Sequence, residues 1–311
     1  MAEDSVRRFR VTKEDEGERL DRYLVEELSG YSRNFIQHII SQKAVLVNDN
    51  PSSNNYKVRK GDKIRAVMPS AIQHQAIPEK IPVKIIYSDR DIIIVNKNPG
   101  MVVHPAAGNM SGTLLNALLY KYPDLNNLSG KVDVHRLGIV HRLDRDTSGV
   151  MVVARNEEAM SEIAKQFEKR VVQKEYHAIV KGRILNPEGT IEAPIGRKSD
   201  DRKKMAVSSI KSRKSTSIFR VIEHLGPCTL VEVKPRTGRT HQIRVHLAYI
   251  GFPVLGDSQY CAPAEGFNAP RQMLHAYKIG FIHPTTREWV SFAAPLPKDF
   301  LDVMERLKQG F

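Results

Sequence analysis

Asp144 lies between Arg142 and Arg145 in the run His141-Arg-Leu-Asp-Arg-Asp-Thr-Ser-Gly149, and a second carboxylate, Asp146, follows two positions on. Guanidinium groups near a carboxyl favour its ionised form. An ionised Asp suits a nucleophile or a base and does not suit a general acid. The plainer reading of the same run is an Asx-turn decorated with surface ion pairs. A second basic constellation, Arg236, Arg239 and Arg244, surrounds the turn Pro235-Arg-Thr-Gly-Arg-Thr240 and the start of a helix. Backbone N–H groups at a helix start, together with a forked Arg, make a site for phosphate or carboxylate. A lone helical Arg more commonly snorkels to solvent.

Competing chemistries have little support. His135, His141, His241 and His246 are the histidines nearest these runs. Five residues along a helix turn through about 140°, so His241 and His246 point apart and make a poor metal shell. No H-E-x-x-H, C-x-x-C, G-x-x-x-x-G-K-[ST] or G-x-S-x-G pattern is present. The expectation is chemistry on side chains alone, with no cofactor and no metal.

Several elements must position these residues. Gly138-Ile-Val140 leads into the Asp144 run and Val150–Ala154 resumes as a strand, so the run reads as a loop between strands. Asn156 caps a helix with Glu157 and Glu158 in its first turn and Lys169 and Arg170 at its end. The next strand, Lys174 to Val180, places Lys174 and Tyr176 on one face. A helix runs from His241 to Ile250 and ends at Gly251. Upstream, Ile92–Val95 reads as a buried strand and Thr113–Tyr120 as an apolar helix. Strands and helices mix without regular βαβ alternation, an α+β pattern.

Nearer the N-terminus, Leu20, Tyr23, Leu24 and Leu28 form one helical stripe and Phe35, Ile36, Ile39 and Ile40 another, with Ser32 placed to cap the second helix. Two strand-like runs follow, Ala44–Val47 and Lys63–Val67, giving a helix-helix-hairpin unit rich in Arg and Lys. Residues 69–82 lack a period and hold three prolines. The division expected is a tail over 1–17, a small unit over 18–76 and a larger domain over 77–311.

With 311 residues the chain is long enough for about two domains, and 48 Lys and Arg against 35 Asp and Glu leave a net charge of +13. That balance points to a polyanion or an anionic surface. The N-terminal residues carry no apolar signal core, apolar runs fall short of a membrane span, and Cys228 and Cys261 are too few for a disulfide framework. A cytoplasmic protein with no membrane association is expected. The stretch 196–217 holds eight Lys and Arg, such as Arg197, Lys204 and Arg213, with few large apolar residues.

The run at 138–149 resembles the H-R-L-D-x-x-T-S-G signature of the RluA family of large-subunit ribosomal RNA pseudouridine synthases. Lys174-Glu-Tyr176 resembles the family's K-x-Y strand, and Gly238-Arg-Thr-His241-Gln-Ile-Arg244-Val-His246 its G-R-T-H-Q-I-R-x-H segment. The earlier His135-Arg-Leu copy lacks the Asp and is not the motif. Residues 18–67 are similar to an S4 RNA-binding domain, with Arg19-Leu-Asp21, Ser32-Arg33, Val47-Asn48 and Gly61-Asp62 in order; Lys43-Ala44 stands where many S4 domains have glycine. Residues 78–116, including Val102-Val-His104-Pro105, look most like the D-type branch, whose targets lie in the helix 69 stem-loop of the large-subunit rRNA.

The resemblance implies an S4 domain followed by a mixed, mainly antiparallel-sheet catalytic domain that acts on RNA without a cofactor. It implies that Asp144 attacks the target nucleotide, that Tyr176 lies against the everted uracil and assists proton removal, and that Arg244 pairs with Asp144. It further implies that Arg142 fills the gap left by the base. Arg145, Arg239, His241, Arg33 and Lys43 are expected to contact RNA, and the chain to act as a monomer. Eversion costs a few kcal/mol of unstacking. Two other readings stay in view. A non-catalytic S4-type ribosome-assembly protein would bind RNA and isomerise nothing. A glycosidic hydrolase would want two carboxyls about 5–9.5 Å apart.

Overall fold

The computed structural model describes residues 5–28, 31, 33–68, 76–105, 109–128, 137–198, 201, 204–208, 212–262 and 267–310. The expected cap at Ser32 and the first copy's His135-Arg136 lie outside these. The chain divides into two compact units, one formed by 1–80, 104–111 and 115–137, the other by 81–103, 112–114 and 138–311.

In the first unit, β1 (Ser5–Arg10), α1 (Leu20–Glu27), α2 (Arg33–Ser41), β2 (Val45–Val47), β3 (Asn50–Pro51) and β4 (Lys63–Met68) follow in order. The strands form an antiparallel sheet ordered β1-β4-β2-β3. Both expected stripes face its core: Leu20, Leu24, Ile36, Ile39 and Ile40 are buried together with Val45 and Ile64. The tail expected over 1–17 is in part a strand. Residues 5–10 are an edge strand paired along its whole length with β4. An edge strand can be polar, and Val6-Arg-Arg-Phe9-Arg lacks the alternating apolar pattern that marks a half-buried one.

Asp21 is fully buried, and its carboxylate accepts hydrogen bonds from Arg19, Arg33 and Gln37 at 2.6–3.1 Å. Burial alone would raise its pKa, but these donors outweigh burial and hold it at about 2. The Arg33 side chain, anchored at its fork, stays half exposed. Lys43 keeps the left-handed backbone that a glycine would adopt there, with φ +59°. Lys43→Gly is therefore expected to relieve about 1 kcal/mol of strain, raising the urea midpoint, while weakening RNA binding. A lowered midpoint would contradict this.

The next elements are β5 (Lys84–Ser88), β6 (Ile92–Lys97), α3 (Leu114–Lys121), β7 (Ser148–Ala154), α4 (Glu157–Glu168), β8 (Gln173–Lys181), β9 (Glu188–Glu192), β10 (Ile195–Arg197) and β11 (Met205–Val207). They are followed by β12 (Thr216–Leu225), β13 (Cys228–Pro235), α5 (Gln242–Tyr249), β14 (Leu274–Ile282), β15 (Trp289–Ala293) and α6 (Lys298–Gln309). No single cut at residue 77 separates the units. All but the first residue of α3 belongs to the first unit, where Asn116 donates to Ile77 O at 2.7 Å and accepts from Glu79 N–H at 3.0 Å.

The second unit is built on a nine-stranded sheet ordered β5-β6-β7-β14-β8-β13-β12-β9, with β15 pairing β14. Among the described residues only β7 and β14 pair in parallel. β6 and β7 are buried on both faces, which explains their unbroken apolar runs. As expected, Asn156 caps α4, accepting from Ala159 N–H at 2.9 Å. The mixed, mainly antiparallel sheet matches the α+β expectation. Among the described residues no helix is long and apolar enough to cross a membrane.

Candidate active site

The Asp144 loop enters β7 beside β14, and buried side chains fasten it. Lys97, without solvent exposure, donates to Arg145 O at 2.8 Å as well as to Asn98 O and Met101 O. Burial pushes its ammonium pKa down to about 7. Arg271, held by Asp299 at 2.7 Å, donates to Asp146 O at 3.0 Å. Gln272 donates to the Thr147 hydroxyl at 2.7 Å, and Ser148 Oγ lies 2.9 Å from His275 Nδ1. A strand does not precede the loop as expected; Ile139 forms only an isolated bridge to Val153.

Gly149 marks the tightest approach. Its φ is +120°, and an added Cβ would lie 2.2 Å from Ala276 O. Gly149→Ala is expected to cost at least about 3 kcal/mol of folding free energy, since the obstacle is backbone of the paired strand. Chemical denaturation of the purified variant would show it; a near-native midpoint would refute it.

His141 is structural. Its Nε2 accepts from Val152 N–H at 3.1 Å, its ring stacks on Phe167, and burial followed by the Lys174 charge drives its pKa down to about 3. Asp144 is not paired with its sequence neighbours: Arg145 instead binds Asp146 at 3.2 Å on the surface. Its partner is Arg244, whose Nη1 donates to Asp144 Oδ2 at 2.9 Å. This replaces the Asx-turn reading with a specific long-range pair.

Arg244 does not snorkel. It is 5% exposed and held by Asp257, with Nε to Oδ2 at 2.6 Å and Nη2 to Oδ1 at 2.8 Å, while its guanidinium carbon lies 5.0 Å from the Tyr260 ring centre. Burial alone would ease its proton off, but the Asp257 and Asp144 charges prevail and raise its pKa. Asp257, buried and accepting also from Gln259 and Tyr260 N–H, was not apparent from sequence. The signal available was the neighbouring Gly256, whose added Cβ would meet Arg271 O at 2.0 Å.

At the start of α5, His241 has φ +55°, its Nδ1 lies 2.9 Å from the Tyr260 hydroxyl and its Nε2 lies 3.8 Å from Asp144 Oδ1. Burial lowers its pKa, against the pull of Asp144. The anion site expected at this helix start is partly filled by the protein. Gln242 Oε1 accepts from Arg239 N–H and from the Thr237 hydroxyl at 3.0 and 2.7 Å. His246 points away, buried against Ser217 and Ala193 O.

An open cavity of about 570 Å³ is lined by Arg142, Asp144, Lys174, Tyr176, Arg239 and Arg244, among others. Arg145, Arg33 and Lys43 are not among its lining residues. Tyr176 comes from β8, and burial followed by the Asp144 charge pushes its phenol well above the usual range, so it is neutral at physiological pH. Arg239 Nε is buried with no acceptor among the described residues, and burial plus the charges of Arg213 and Arg170 lowers its pKa. Two groups with metal-ligating atoms occur among the described residues, Asp89, Asp91 and His283 and then Glu175, His177 and Glu232. Protein groups already engage them: His283 Nε2 lies 3.0 Å from Asp89, and Lys234 Nζ 2.8 Å from Glu232.

An RNA pseudouridylate synthase model matches residues 91–249 and an S4 domain model matches 18–64. The uncharacterized RNA pseudouridine synthase YlyB of Bacillus subtilis is 41% identical over 300 residues, covering 96% of this chain and 97% of its own. The ribosomal large subunit pseudouridine synthase D of Haemophilus influenzae is 38% identical, covering 97% of this chain and 94% of its own. Among solved structures, human RNA pseudouridylate synthase domain containing 1 superimposes with a TM-score of 0.56 at 28% identity, covering 74% of this chain and 96% of that one. With its S4 domain ahead of a β7–α5 core that joins Asp144 to Arg244, the chain belongs to the RNA pseudouridine synthases, a family of isomerases.

Proposed function

We propose that this protein isomerises uridines of large-subunit rRNA, in the helix 69 stem-loop, acting as a cytoplasmic monomer with Asp144 as the group that attacks the nucleotide. The observation that carries the reading is the 2.9 Å bond from buried Arg244 to Asp144 at the wall of a cavity shared with Tyr176. All three come from one chain, and both cysteines are free, which suits a reducing compartment. The likeness to relatives named for the large ribosomal subunit supports the substrate.

In this reaction the bond from the sugar to ring nitrogen one breaks, a bond from the sugar to ring carbon five forms, and the hydrogen on carbon five leaves as a proton while nitrogen one gains one. No oxidant or reductant is consumed. The nucleotide must leave the helical stack before Asp144 can reach it. Arg244 holds Oδ2, so Oδ1, beside His241, is the oxygen left to react. Tyr176, a neutral phenol, packs against the uracil; its raised pKa favours that role over proton abstraction. Arg142, exposed at the cavity, enters the gap in the stack. Arg239, with its unpaired Nε, takes a phosphate oxygen, and Arg145, His241, Arg33 and Lys43 complete the RNA interface.

The test is incubation with in vitro transcribed large-subunit rRNA carrying tritium on uridine carbon five. Isomerisation releases tritium to water while the base stays attached. Release of free uracil would assign hydrolysis instead, and binding without tritium release would assign a non-catalytic RNA-binding protein.

A further inference from the structure

β1 precedes the residues matched by the S4 model, and it adds a surface of its own. In its register with β4, Arg8 lies directly opposite Arg65 and Arg10 directly opposite Lys63. Side chains of directly opposed residues project from the same face. All four are exposed, and β4 alternates so that Ile64, Ala66 and Met68 enter the core while Lys63 and Arg65 face outward. Val6 and Val67, also opposed, continue that outer face, and Leu46 of β2 lies opposite Arg65 on its other side. Two consecutive cross-strand pairs are thus cation against cation. Among the described residues none of the four makes an ion pair, and no carboxylate occupies a register position on this face.

Like charges directly opposite one another destabilise a sheet. Two such pairs in succession, on a strand free to carry any polar residue, form a charge arrangement that a polyanion would relieve. Successive pairs are about 6.8 Å apart along the strand, so the four cations make a compact patch suited to several neighbouring phosphates and not to one anion. Among the described residues of β1, β2 and β4, none on the outer face is aromatic, which fits binding of a phosphate backbone over reading of base identity.

We infer that the outer face of the β1–β4 ladder, centred on Arg8, Arg10, Lys63 and Arg65, is a second RNA-binding surface that takes the phosphate backbone of the substrate RNA outside the catalytic cavity. The inference rests on the proposed action on RNA and adds to it a docking surface of which the S4 match includes Lys63 but not Arg8, Arg10 or Arg65. Its contribution is to affinity and not to the chemical step.

The test uses the full chain with Arg8→Glu, Arg10→Glu and the double variant. Each substitution replaces a cation–cation pair by a cation–anion pair, so the urea midpoint is expected to rise. Affinity for an in vitro transcribed large-subunit rRNA fragment is expected to fall about tenfold or more for the double variant. The slope of log affinity against log salt should become shallower by about 0.7 for each phosphate that the variant no longer neutralises. Tritium release at saturating RNA should keep its wild-type rate, with the loss confined to KM. A rise in stability together with a fall in affinity is a combination that damage to the fold cannot produce. Unchanged affinity and slope would overturn the inference, as would an affinity loss accompanied by a lower midpoint. Loss of binding to vesicles of anionic phospholipid with RNA binding intact would overturn it in favour of a membrane surface. Failure of the wild-type protein to release tritium would instead count against the proposed function and is read separately.

Discussion

Asp144→Asn is expected to abolish pseudouridine formation, lowering the rate by at least about 10⁴-fold, while leaving affinity for RNA close to wild type. The amide keeps the size of the side chain, and its oxygen can still accept from Arg244 Nη1, now 2.9 Å from Oδ2. It loses the negative charge and the nucleophilic oxygen, and Glu168, the other carboxylate lining the cavity, is not among the groups bound by Arg244. Asp146 is the nearest carboxylate in sequence, but it is bound to Arg145 on the surface and is absent from the cavity lining. The loop geometry should persist, because its fastenings come from Lys97, Arg271 and Gln272 and none of them grips the Asp144 side chain. Single-turnover rates and filter binding on the same preparation would check both halves. Appreciable turnover by the variant would remove Asp144 from the chemistry.

The second large effect is expected from Asp257, which touches no substrate in this account. It holds Arg244 through two hydrogen bonds of 2.6 and 2.8 Å, and Arg244 in turn holds Asp144. Asp257→Ala leaves a buried guanidinium with one carboxylate in place of two and opens space behind it. Removing one partner of a buried ion pair costs about 3–5 kcal/mol of stability. A fork free to swing also releases Asp144 from its position, for which a rate loss of about 10²-fold at saturating RNA is expected. Asp257→Asn, which keeps one acceptor and the shape, should fall between Ala and wild type in both measures. Thermal denaturation and kcat measured side by side would check this. A wild-type kcat in Asp257→Ala would show that Arg244 needs no second anchor.

Much of this arrangement was legible in the sequence, and the parts that were not share a cause. Local period exposed the two helices of the first unit, since Leu20, Leu24, Ile36 and Ile40 recur at helical spacing and are buried. Motif resemblance singled out Asp144, Tyr176 and Arg244, which meet in one cavity. Local sequence suggested the wrong charge partners for Asp144. Arg142 and Arg145 are adjacent in the chain, yet the partner lies 100 residues away because α5 is brought against the loop by the sheet. Asp257 has no motif of its own; only the folded position of Arg244, 13 residues back, gives it a role. Lys97 reads as a surface lysine at the end of a strand and is buried because three carbonyls converge on its ammonium. β1 escaped notice for the opposite reason. Its residues look like a solvated tail, and the hydrogen bonds that make it a strand are supplied by β4, more than fifty positions on.

The most direct measurement is a map of pseudouridines in large-subunit rRNA from cells lacking this protein, complemented with the wild-type chain or with Asp144→Asn. The account predicts sites in the helix 69 stem-loop that disappear without the protein, return with the wild-type chain and stay absent with the variant. An rRNA map unchanged by loss of the protein, or sites restored by Asp144→Asn, would contradict it.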